Sequence, residues 1–187
     1  MRAIAVINMG TADAPGHADD TAEYKPTQTA AYAAVLGAHG KSSRFNQREM
    51  AEWLEDWIDE LEFFNAAEAL DKRHAITAVR NVDIAAATKH NYSVEALSES
   101  RSAFDSVTAS SATLLPTMLY FKCQPYTDLD ERNFVLRLHL HLSGDKPQFS
   151  VTIQRLEQHR QEMAAELAAK VRAALPGMPV FVGTYAT

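Results

Sequence analysis

The chain has 187 residues, 47% hydrophobic and 22% charged, with a formal net charge of -6; that balance suits a chain that buries a core and excludes a disordered or fibrous one. One cysteine, Cys123, excludes a disulfide framework and a thiolate metal cluster, and no apolar run reaches the roughly 18 residues needed to span a bilayer. The length fits one domain over residues 1–187, and RAIAVIN at the start lacks the residue order of a secretory signal, so a soluble, cytoplasmic protein is expected.

In chain order, Ala3 to Asn8 reads as a strand, MGTADAPGHADD as a loop, and Thr21 to Lys25 as a second short strand that stops at Pro26. Ala30 to Ala38 is alanine-rich and reads as a helix ended by Gly37 or Gly40. Next comes REMAEWLEDWIDELE, Arg48 to Glu62, where seven acids face one arginine. Asn46 with Glu49 spells a capping box, and Met50, Trp53, Leu54, Trp57, Ile58 and Leu61 fall on one stripe, which predicts an acidic amphipathic helix through Glu62. Asn65 and Glu68 repeat the spacing before AALDKRHAITAVRNV and predict a further helix to about Val82.

The period then changes. Lys89 to Leu97, Ala103 to Ala109, Met118 to Gln124, Phe134 to Leu142 and Gln148 to Gln154 carry β-branched and aromatic residues in partial alternation and predict antiparallel strands. Within FVLRLHLHL, Phe134, Leu136, Leu138, Leu140 and Leu142 point to one face, and Val135, Arg137, His139, His141 and Ser143 to the other. Ser143 to Lys146 make the turn; Phe149, Val151 and Ile153 then join the leucines, leaving Ser150 and Thr152 beside the histidines on a wet face. A last helix runs from about Arg155 to Leu175, with Leu156, Met163, Leu167, Val171 and Ala174 as its stripe, and MPVFVGTY closes as a short strand. Helices, strands, a helix and a strand in that order give an α+β fold, an antiparallel sheet with helices packed on one face.

Few residues propose chemistry. His139 and His141 project on the same side of a strand, but two ligands are not a metal site, and Arg137 beside them opposes a cation. GHADDTAEY lacks the ligand periodicity of a calcium loop, the serines of SESRSAFDSVTASS sit in no nucleophile elbow, and no phosphate loop occurs. No catalytic residue, metal or cofactor is assigned, and a non-enzymatic protein is expected. Glu49, Glu52, Trp53, Glu55, Asp56, Asp59 and Glu60 form the candidate partner-binding surface, since clustered negative charge attracts basic proteins and repels nucleic acid. Arg137, His139 and His141 are the candidates for the alternative, nucleic-acid contact.

PGHADDTA, FNQREMAEWLEDW, LPTMLYF with FVLRLHLHL, the serine-rich strands and PGMPVFVGT together resemble the YfdQ-like family of tailed phages and prophages. The resemblance carries no active site. It implies a phage-encoded accessory protein in the host cytoplasm that binds a host or phage protein, inhibition of a defence complex being one role that the resemblance offers. It also implies further sequence ahead of the first strand in relatives, so the expectation is either a shortened variant or a domain that forms the C-terminal part of a longer family protein. The alternatives are a nucleic-acid factor in replication or recombination and a metal-dependent hydrolase at His139 and His141. A homodimer through the last strand and a sheet edge is a further expectation.

Overall fold

Alternation in the second half of the chain builds the main sheet. A computed structural model describes residues 1–40, 42–82, 114–143 and 146–183, for Leu142 and Ser143 the backbone alone. The strands expected at 89–97 and 103–109 lie outside the described residues, as does the centre of the 143–146 turn. The chain forms two compact units. Met1–Thr29, Pro125–Asp130 and Arg155–Thr187 make unit 1, and Ala30–Gln124 with Glu131–Gln154 make unit 2.

Unit 2 contains α1 (Ala30–Ala38), β3 (Phe45–Asn46), α2 (Gln47–Asp56), β4 (Leu61–Asn65), β5 (Glu68–Leu70), α3 (Lys72–Arg80), β6 (Met118–Cys123), β7 (Arg132–Ser143) and β8 (Lys146–Ile153). Its six-stranded antiparallel sheet has the order β3-β8-β7-β6-β4-β5. Phe121 pairs with Phe134, Leu119 with Leu136, Leu138 with Val151 and Leu140 with Phe149, so one face carries a continuous apolar layer. All eight of those side chains are buried. Tyr32 of α1 stacks on Phe134 at 5.2 Å, while Trp53 of α2 and Trp57 just beyond it lie 6.0 and 5.9 Å from Phe121. The fold is α+β, and α1 and α2 cover the same face.

Both edges of this sheet are blunted, a device that limits edge-to-edge pairing. β5 is three residues long. At the other edge β3 pairs with Phe149 and Gln148, Gly40 N donates to Val151 O at 2.9 Å, and Ile153 N donates to His39 Nδ1 at 3.0 Å.

Unit 1 contains β1 (Ala3–Val6), β2 (Thr21–Tyr24) and α4 (Leu156–Ala174). β1 and β2 form a two-stranded antiparallel sheet. Their connecting loop is tightly bonded: Gly16 N donates to Met9 O, Asp20 N to Asn8 Oδ1, and Asn8 Nδ2 to Asp19 Oδ1. Gly10 stands at φ 70, where a Cβ would lie 2.2 Å from Ala14 O, so glycine is required there. The Tyr24 hydroxyl donates to the Asp128 carboxylate, and Lys170 of α4 donates to Asp128 O and Asp130 Oδ1 at 2.8 and 2.9 Å. On α4, Met163, Leu167 and Ala168 are buried, whereas Ala174, expected in the stripe, is exposed.

Three sequence expectations are corrected. The acidic helix stops at Asp56, with Trp57 as its C-cap, and Leu61–Asn65 is a strand. Leu61 and Phe63 are buried and Glu62 is exposed, the alternation of a half-buried strand, and β4 pairs with β6. Asn65 and Glu68 are the paired ends of a hairpin rather than a helix cap; the third helix starts at Lys72, capped by Asp71, whose Oδ1 accepts from His74 N at 2.9 Å. Residues 178–183 of the expected closing strand join no ladder among the described residues.

Candidate functional site

The candidate site grows from the capping box that starts α2. Asn46 Oδ1 accepts from Glu49 N at 2.9 Å and Asn46 N donates to Glu49 Oε2 at 2.8 Å, which fixes the first turn. The helix then presents Met50, Ala51 and Leu54 to the core, and Trp53 rests half-buried over Phe121. Arg44, Phe45, Glu49, Glu52, Trp53 and Asp56 line an open groove of about 440 Å³. Aromatic rings and carboxylates thus share one depression, held by a helix on a sheet.

The seven residues read from the sequence differ in their contacts, and four of them line the groove. Glu49 closes the cap, Glu52 Oε1 accepts from Arg48 Nε at 2.7 Å, and Glu55 accepts from Arg80 Nη2 of α3 through both oxygens at 2.8 Å. Glu49, Glu52, Trp53 and Asp56 share the groove; Glu55 faces α3. Asp59 and Glu60 lie in the turn after the helix, where Glu60 O accepts from Lys122 N at 2.8 Å. Arg44 and Phe45 are the lining residues that the helical stripe missed. Their only local signal is a position just ahead of the Asn46 cap.

The opposite face of the sheet holds the second candidate set. Arg137 is exposed and His139 and His141 are half-buried, their rings 6.2 Å apart and 27° from parallel. His141 Nε2 shares a hydrogen bond of 2.9 Å with Ser150 Oγ, and Ser150 is buried, so this face is drier than alternation alone predicts. Burial holds the His139 imidazole below its ordinary range, with the charges of His141 and Arg137 adding to the effect. Burial does the same for His141, assisted by Arg44. The lowered proton affinity of the two imidazoles weakens what this face offers a phosphate and leaves the exposed Arg137 to carry that attraction.

Among the described residues, no three His, Cys, Asp or Glu side chains stand together as an ion site, and no helix is long and apolar enough to cross a membrane. Burial pushes the Cys123 thiol up to about 12, so it is not an activated nucleophile.

Residues 1–185 match the family described as uncharacterized conserved protein (DUF2303), and the chain belongs to that family. No curated protein and no solved structure matches it.

Proposed function

We propose that this member of the DUF2303 family is a non-enzymatic accessory protein that captures another protein through the α2 groove. The observation that carries the reading is the groove itself: Glu49, Glu52 and Asp56 stand around Phe45 and Trp53, with Arg44 as the one cation among the described lining residues. A partner segment that places a lysine or arginine beside Trp53 and the carboxylates gains charge complementarity and contact with an aromatic face. Aromatic anchors within a polar rim are the usual energetic centre of protein interfaces. The YfdQ-like resemblance supplies the proposed setting, a phage or prophage factor in a host cytoplasm acting on a host or phage protein complex, including a defence complex that it inhibits.

The nucleic-acid alternative draws less support, because the acids of α2 repel phosphate and the imidazoles on the other sheet face are held neutral. A hydrolase centred on His139 and His141 has, among the described residues, those two donors side by side on β7 without a third.

The test places a photo-cross-linking amino acid at Glu52 in living cells and identifies the captured protein. That partner is then titrated against wild type and against Glu52→Lys with Asp56→Lys. At least a tenfold loss of affinity is expected, with an unchanged unfolding midpoint. Undiminished binding removes the groove from consideration, and salt-sensitive capture of DNA or RNA by the wild type replaces this reading with the nucleic-acid one.

A further inference from the structure

Unit 1 buries Leu129, Met163 and Leu167 but leaves other large apolar side chains outside. Ile7 and Met9 are each 64% exposed at the hairpin, and Leu175, Met178, Phe181 and Val182 are exposed beyond α4, Phe181 at 87%. The β1–β2 sheet has two strands, both outer edges unpaired among the described residues, and a two-stranded hairpin alone is marginal in water. Among the described residues, one chain thus carries an uncovered apolar segment and an incomplete sheet.

We propose that two copies of the chain associate reciprocally, the Met178–Val182 segment of each lying against the β1–β2 hairpin of the other. A two-fold arrangement satisfies both surfaces twice and calls for no other chain. The area suffices. The six exposed side chains offer on the order of 600 Å² per copy, the size at which specific interfaces begin for each partner. The segment is also held in place before binding: Arg172 Nη2 donates to Val180 O at 2.9 Å, and Gly177 at φ 87 turns the chain after the helix. Preordering of that kind lowers the entropic cost of docking. No charged residue occurs from Ala173 to Gly183 to repel the hairpin, whose loop carries Asp13, Asp19 and Asp20 and whose Glu23 is paired with Arg2 and Lys25.

The proposal is independent of the α2 groove, so Glu52→Lys with Asp56→Lys stays dimeric. Sedimentation of the full chain across about 1 to 100 μM should show a dimer for wild type and at least a tenfold weaker association for Phe181→Glu. A wild type that stays monomeric at about 100 μM overturns the proposal. A second arm does not depend on that variant folding. Ile7→Cys and a size-tagged Phe181→Cys are mixed and oxidised, the native Cys123 being buried. A mixed disulfide is expected as the main product. Phe181→Cys joining chiefly to itself indicates tail-on-tail packing and rejects the arrangement.

Discussion

The sheet of unit 2 and the hairpin and tail of unit 1 use apolar residues in opposite ways. Phe121, Phe134 and Phe149 are each 0% exposed in the six-stranded sheet, while Phe181 after α4 is 87% exposed. In unit 2 the sheet edges are blunted by a three-residue β5 and by His39 and Gly40; in unit 1 the β1–β2 hairpin is left unpaired on both sides among the described residues. Phe121 in unit 2 is thus a statement about folding, and Phe181 in unit 1, beyond the buried Met163 and Leu167 of α4, a statement about a surface to be covered. Substitutions of each kind separate the two roles.

The largest effect is expected at Phe121, which lies under Trp53 and Trp57 and opposite Phe134. Phe121→Ala should cost about 3–5 kcal/mol, because the stiff sheet beneath two indoles cannot collapse into the cavity. Urea unfolding followed by tryptophan fluorescence reads it directly, as both tryptophans of the chain stand over that ring. A loss below about 1 kcal/mol would mean the stack is peripheral to the core.

Asn46→Ala comes next, at about 1 kcal/mol, since it removes the acceptor for Glu49 N. This cap was legible in the sequence because its two partners are three residues apart, as were the strands of β6, β7 and β8, whose alternation is local. The boundary at Asp56 was not. Trp57, Ile58 and Leu61 continue a helical stripe as well as they fit a turn and a strand, and what decides is β6, whose Phe121 pairs with Leu61 from far along the chain. The β4–β5 turn was hidden for a similar reason. Ala66 sits at φ 51 where glycine or asparagine is the usual signal, and long-range contacts hold it: Ala66 N donates to Thr117 Oγ1, and Asn65 Nδ2 to Leu115 O at 2.7 Å. The groove was legible only in half, through its α2 residues. Arg44 and Phe45 reach it from the segment before the helix, which no period marks.

A smaller effect follows from the histidines of β7. Burial lowers the affinity of folded His139 and His141 for protons relative to the unfolded chain, whose imidazoles titrate near the ordinary 6.5. Above that value both states are neutral and the stability is fully present. As the pH falls through it, the unfolded chain takes up protons first and the folded state loses ground. The urea midpoint should therefore fall between about pH 7.5 and about pH 5.5, and fall less in His139→Gln with His141→Gln. An equal fall in the double variant would assign the dependence to other groups.

The smallest stability effect, and the sharpest contrast with Phe121, is expected at Phe181. Phe181→Ala removes a ring that touches mostly water, so the unfolding free energy of the monomer should change by less than about 0.5 kcal/mol. Measured at low protein concentration, where association contributes nothing, the two phenylalanine-to-alanine changes should differ several-fold in cost. Raising the concentration tests the other half. If unit 1 holds its apolar side chains out for a second copy, the wild-type midpoint climbs with concentration by mass action and that of Phe181→Ala climbs less. A concentration-independent midpoint for both would leave Phe181 without a covered state and would dissolve the contrast between the units.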